Sequence, residues 1–103
     1  MSSVSILMPV KNAAMFLTQT LESIRSQDFQ DWELIAVNDH SSDESFDLLQ
    51  SFSKSDSRIQ VFQNEGQGII HALRLAYSKS SSNLITRMDA DDLMPEHKLS
   101  RMV

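Results

Sequence analysis

Asp89, Asp91 and Asp92 put three carboxylates into four residues, directly after the apolar run Leu84-Ile85-Thr86-Arg87-Met88. Carboxylates held this close repel one another and disfavour their own ionised forms. A hard divalent cation removes that cost, because it prefers carboxylate oxygens to softer ligands. Asp89 and Asp91 share a parity, so in an extended or loop conformation both can face one ion. A second reading needs no ion. Acids favour the first turn of a helix, and Pro95-Glu96 reads as a helix start, which leaves Asp92 a helix-start role.

Asp39 follows the apolar run Leu34-Ile35-Ala36-Val37. A carboxylate there can accept an N–H from a ring such as uracil or guanine, close to a sheet edge that excludes water. Asn38 to Asp43 also fits a turn that caps the next helix, the role expected of Ser41, Ser42 and Asp43. His40 suits a turn position with unusual backbone angles. Pro9-Val10-Lys11-Asn12 offers a rigid turn that could border a nucleobase or simply join strand to helix. Arg87 suits a carboxylate or a phosphate. His71 and His97 read as helix-surface residues, and the six methionines as core filler. Gly66 and Gly68 match neither the P-loop nor the dinucleotide fingerprint.

These groups need elements to position them. Val4 to Met8 reads as a strand stopped by Pro9, which cannot donate to a central ladder. Ala13, Leu17, Leu21 and Ile24 share one helical face, with Asn12 as the expected N-cap. Leu34 to Val37 has the continuous apolar character of a strand buried on both sides of a parallel sheet. Ser41 with Glu44 makes a capping-box pattern before Phe46, Leu49 and Phe52. Ile59, Val61 and Phe62 form a third strand. Ile69, Leu73 and Ala76 mark a third helix, and the Ser-rich stretch Ser78 to Ser82 a helix-to-strand turn. Leu84 to Met88 is a fourth strand, with a helix expected from Pro95. The alternation predicts an α/β fold of strand-helix units with a mainly parallel sheet and right-handed crossovers. Ligands on such sheets bind beyond the carboxyl ends of the strands. All four polar loops, Pro9–Asn12, Asn38–Asp43, Gln63–Gly66 and Asp89–Asp92, should open on that edge.

A chain of 103 residues is one domain or part of one. A net charge of -5 argues against a nucleic-acid partner, which would want a basic stripe. The absence of cysteine removes disulfides, thiolate catalysis and zinc-thiolate sites. Apolar runs are too short to cross a bilayer, and Met1 to Val10 has no signal-peptide pattern, so the expected address is cytoplasmic.

The ordered loops resemble the amino-terminal half of a family 2 glycosyltransferase, with a Rossmann-like nucleotide-binding half of the GT-A type. The resemblance rests on Val4 to Asn12, Trp32 to Asp43, Asn64-Glu65-Gly66 and Ile85 to Asp92, which cover nearly the whole chain in order. It implies transfer of a sugar from a nucleoside diphosphate sugar, UDP-sugar favoured, to an acceptor hydroxyl with inversion. By the same resemblance Asp39 hydrogen-bonds the base, and Pro9, Val10 and Lys11 border it. Asn64 and Ala90 join the nucleotide-binding set. Asp89 and Asp91 match the D-x-D pair, with Asp91 the direct ligand of Mn²⁺ or Mg²⁺ and Asp89 nearer the ribose. A divalent ion there stabilises the charge developing on the diphosphate leaving group.

His40 and Asn38 depart from the family pattern, which commonly has glycine and a second aspartate. The family's general base and most of its acceptor site match nothing here. The expectation is therefore a donor-binding domain over residues 1–103, truncated before the acceptor part and inactive alone, with no catalytic residue assigned. A saccharide or lipid-linked acceptor, an inner-membrane-face location and a role in cell-surface polysaccharide biosynthesis are implied for a longer protein. An uncovered sheet edge would favour self-association of the fragment. The rival within the same fold is a non-catalytic nucleotide- or metal-binding module. A receiver domain would carry acids after the first and third strands, where Pro9 and Gln63 stand. A sugar nucleotidyltransferase would want a glycine-rich basic loop at Pro9 to Asn12.

Overall fold

Leu34 to Val37 is apolar at every position because both faces of its strand are covered. The computed structural model describes residues 2–103. In it β2 (Trp32–Asn38) is buried throughout and lies between β1 (Val4–Val10) and β3 (Ile59–Gln63), while β4 (Leu84–Arg87) flanks the other side of β1. Every pairing is parallel, so the sheet is wholly rather than mainly parallel. The helices are α1 (Ala14–Arg25), α2 (Ser45–Ser55), α3 (Ile69–Lys79) and α4 (Lys98–Met102). None is long and apolar enough to cross a membrane.

Strand alternation sorts the core into two layers. Val4, Ile6, Met8 and Val10 of β1, with Trp32, Leu34 and Ala36 of β2, meet Leu17, Leu21 and Ile24 of α1 and Leu49 of α2. Each fully buried aliphatic contributes roughly 1.5–3 kcal/mol. The opposite face sets Leu7, Ile35 and Val37 against Ala72 and Ala76 of α3. The chain thus runs outward through β1, β2 and β3 under α1 and α2. It then returns across the other face by α3 to place β4 beside β1. That return reverses the strand order at β1, the point where open sheets of this kind bind ligands.

Four local expectations are corrected. Pro9 does not end β1, which continues to Val10 in register with Val37 and Asn38. The Leu7 carbonyl accepts from Met88 on the β4 side, and Pro9 shares its parity. The N–H that Pro9 lacks would point where β4 has already stopped pairing, so no ladder bond is lost. Asn12 is not the N-cap of α1. It has φ 50, its amide donates to Ser41 Oγ at 3.0 Å, and its Oδ1 accepts from the Ser42 amide at 2.7 Å.

The free amides at the start of α1 are met from across the fold instead, Ala13 by Ser45 Oγ at 2.9 Å and Ala14 by Asp43 Oδ2 at 3.1 Å. The Ser41–Glu44 capping box does not form, because Ser41 serves Asn12 and Asp43 Oδ1 takes the Ser45 amide at 2.9 Å. Hydrogen bonds from Ser45, then from the Ala14 amide, hold the Asp43 carboxyl below the usual carboxylate range. Finally, Pro95 opens a turn and not a helix: α4 begins at Lys98, whose amide donates to the Pro95 carbonyl at 3.1 Å.

At the amino-terminal end of the sheet Glu33 is buried on the α3 face. Its carboxylate accepts from Ser5 Oγ, from the Ser81 amide at 2.7 Å and hydroxyl at 3.0 Å, and from Gln60 at 3.4 Å. Burial pulls its pKa up, but these donors outweigh burial and leave it lowered. The serine-rich turn before β4 is thereby fastened to β1 and β2.

Candidate functional site

The loops after β1, β2 and β4 line a cleft of about 440 Å³ at the carboxyl edge of the sheet, whereas no residue of Gln63–Gly66 lines it. Pro9, Val10 and Lys11 form one wall as β1 runs out. The adjacent Asn12 turn is fixed by Ser41 and Ser42. Lys11 is exposed and, among the described residues, enters no ion pair. It is a cation available to an anionic guest.

Asp39 lies at the floor, 6% exposed. Its amide donates to the Val10 carbonyl at 2.7 Å, which locks the end of β2 to the end of β1. Oδ1 accepts from Asn64 Nδ2 at 3.0 Å and from the Gly68 amide at 3.2 Å, and Oδ2 shares that amide at 3.2 Å. A carboxylate has about four lone-pair positions, so Asp39 keeps acceptor capacity toward the cleft. Gly68 reaches it with φ 91 and ψ 167, a region essentially reserved for glycine. His40, at φ 55, adds a second tie between these loops through Nε2 and the Gly66 carbonyl at 2.7 Å.

The acid run occupies the other end. The Asp92 amide donates to the Asp89 carbonyl at 3.1 Å and closes a turn. Ala90 packs into the core while Asp89 and Asp91 stay exposed and line the cleft. Carboxylate oxygens of Asp89, Asp91 and Asp92 lie within 4.8 Å of one another. They are hard donors at a spacing one divalent cation can span, so the set fits Mn²⁺ or Mg²⁺. Asp92 therefore joins the carboxylate group, which corrects its helix-start role; α4 starts only at Lys98. Arg87 pairs with Asp89 at 3.2 Å, both half-exposed.

Of the residues the sequence singles out, Pro9, Val10, Lys11, Asp39, Asp89, Ala90 and Asp91 line this one cleft. Asn64 does not. It is buried behind Asp39, which it orients through Nδ2. Phe16, Gly68 and Ile69 line the cleft and were not anticipated. Phe16 falls off the buried stripe of α1, and an aromatic in that place, 46% exposed, was the available signal. Ile69, one of the residues that mark the third helix, is 44% exposed at the cleft, while Ala72 and Ala76 carry the packing.

A parallel sheet with a cleft at its order reversal places the chain among the α/β domains that take ligands at that edge. Residues 5–103 match the family model described as glycosyl transferase family 2, and the chain belongs to that family. It is 33% identical over its full length to an uncharacterized glycosyltransferase of Haemophilus influenzae, of which it covers 42%. It is 32% identical, again over its full length, to a GalNAc(5)-diNAcBac-PP-undecaprenol beta-1,3-glucosyltransferase of Campylobacter jejuni, of which it covers 34%. The chain thus spans less than half of these curated relatives.

Solved structures share the fold. Staphylococcus aureus TarS in complex with UDP-GlcNAc superposes with TM-score 0.89 at 22% identity, over 97% of this chain and 30% of that one. A mannosyltransferase from Pyrobaculum calidifontis, in complex with GDP-Man and Mn2+, superposes with TM-score 0.79 at 24% identity, over 89% of this chain and 28% of that one. The architecture is that of the GT-A glycosyltransferase fold.

Proposed function

We propose that this chain is the donor-binding part of an inverting, metal-dependent glycosyltransferase that uses a nucleoside diphosphate sugar. One observation carries the reading. Asp39 and the Asp89–Asp91 turn open into the same cleft from opposite ends, as an acceptor for a base and a cation site for a diphosphate must. Asp39 takes a ring N–H, the Pro9–Lys11 wall borders the base, and Lys11 adds positive charge beside the anion. Asp89 and Asp91 would hold Mn²⁺ or Mg²⁺, which when bound supplies Lewis-acid stabilisation of the leaving diphosphate. The UDP-GlcNAc complex of TarS and the GDP-Man and Mn2+ complex of the mannosyltransferase support this assignment.

UDP is the favoured nucleotide. Asn64 and Gly68 already occupy Oδ1 of Asp39, and Gly68 also leans on Oδ2. The remaining capacity suits the single N–H of uracil better than the two-donor edge of guanine. Activation of an acceptor hydroxyl needs a base within hydrogen-bond reach. The cleft carboxylates are committed to donor and cation, so the chain alone binds donor without transferring sugar. In a longer protein the acceptor is a saccharide or, as in the name of the Campylobacter relative, a lipid-linked one met at the membrane face.

Calorimetric titration with UDP and with GDP, each with and without Mn²⁺, tests the reading. UDP binding strengthened by Mn²⁺ is the expected result. Failure of folded protein to bind any nucleoside diphosphate would overturn it.

A further inference from the structure

The segment from Ala90 to His97 has no helix or strand to satisfy its backbone, yet its Ala90 and Met94 are buried in the core that α1 covers. Polar side chains on and just past that helix meet it. Thr20, fully buried, donates from Oγ1 to the Ala90 carbonyl at 2.8 Å. Ser23 donates to the Thr20 carbonyl at 2.7 Å and accepts the Met94 amide at 2.9 Å. Gln27, 1% exposed, donates from Nε2 to the Pro95 carbonyl at 2.6 Å and accepts the Leu99 amide at Oε1 at 3.1 Å. Thr20, Ser23 and Gln27 follow one another at three- and four-residue steps, the spacing that forms a single helical stripe.

We infer that this stripe, and Thr20 above all, positions the acid turn for its cation. The inference rests on the proposed metal site. Ala90 is the residue between Asp89 and Asp91. Its methyl group is held in the core and its carbonyl by Thr20, so its peptide planes cannot rotate freely. Asp89 and Asp91 then leave the backbone on the exposed side with their oxygens already gathered. Without the Thr20 hydroxyl the Ala90 carbonyl is buried and unpaired. The turn must then rotate to find water, and it takes both carboxylates with it. Thr20 touches no ligand; it acts as a positioning residue.

The test is Mn²⁺ binding at saturating UDP, followed by electron paramagnetic resonance on the folded chain. Thr20→Val, which keeps the branched shape, should weaken Mn²⁺ binding by about tenfold, the low end of losses from outer-shell partners. Thr20→Ser should restore it to within about twofold, since the hydroxyl returns. Ile24→Val removes packing from the same helix without touching the stripe; it should lower stability and leave Mn²⁺ affinity unchanged. If Thr20→Val does not fold, Ser23→Ala provides the same comparison through the Met94 amide. Asp91→Asn separates the two claims. If it binds Mn²⁺ as the parent does, the metal reading falls and this inference with it. If it loses Mn²⁺ while Thr20→Val, or Ser23→Ala in its place, does not, the positioning role alone is overturned.

Discussion

Replacing Gly68 by alanine should damage both the fold and the cleft, for a reason that concerns backbone shape and not space. A Cβ added at Gly68 meets nothing within 4 Å, so no side chain has to move. The cost comes from φ 91 and ψ 167, where an L-residue is strained by about 1–3 kcal/mol. If the backbone instead relaxes, the Gly68 amide leaves Asp39, where it sits 3.2 Å from both carboxylate oxygens, and the carbonyl that receives the Ala72 amide at 3.1 Å shifts at the start of α3. Either route costs stability. For a domain near this size each kcal/mol lowers Tm by about 4–8 °C, so Gly68→Ala should melt about 4–24 °C below the parent. UDP affinity should also fall by about tenfold, the equivalent of one hydrogen bond that orients Asp39. Thermal melts and UDP calorimetry on Gly68→Ala, with the exposed neighbour Gln67→Ala as control, measure both effects. A Gly68→Ala protein that melts and binds like the control would refute the reasoning.

Other expectations follow from the same contacts. Asp56 is held below the usual carboxylate range, mainly by its hydrogen bond to Arg58, with Arg25 adding charge. Its folded pKa lies below its unfolded one, so its contribution is present above the ordinary aspartate value and lost as pH falls through the folded value. Urea midpoints should therefore drop below about pH 4, and Asp56→Asn should flatten that drop. Glu33→Gln presents an amide to donors from Ser5 and Ser81; it should cost about 1–3 kcal/mol in urea unfolding and leave UDP affinity unchanged. Asp91→Asn should remove the gain in UDP affinity that Mn²⁺ brings and leave metal-free UDP binding intact by calorimetry.

The strand-helix alternation was legible because each element carries its own period, as in the unbroken apolar stretch of β2 and the Leu17, Leu21, Ile24 stripe of α1. The convergence of Asp39 with Asp89 and Asp91 followed from topology, since parallel strands deliver their carboxyl ends to one edge. What escaped was non-local. Sequence rules for caps look a few residues away, whereas α1 is capped by Asp43 and Ser45, about thirty residues on. Asn12 and the Ser41–Glu44 pair were misread for that reason. Asn64 joined the nucleotide-binding set through the resemblance, and a motif match cannot tell a cleft wall from the support behind it. Pro9 was read as a stop because the early end of β4, which frees that side of β1, lies nearly eighty residues away.

The central claim is that one cleft holds a nucleotide by its base at Asp39 and by its diphosphate, through a cation, at Asp91. UDP calorimetry with and without Mn²⁺, on the parent chain, Asp39→Ala and Asp91→Asn, addresses it most directly. Asp39→Ala should weaken UDP whether or not Mn²⁺ is present, while Asp91→Asn should weaken it only when Mn²⁺ is present. No binding by the folded parent, or two variants that bind as the parent does, would contradict the account.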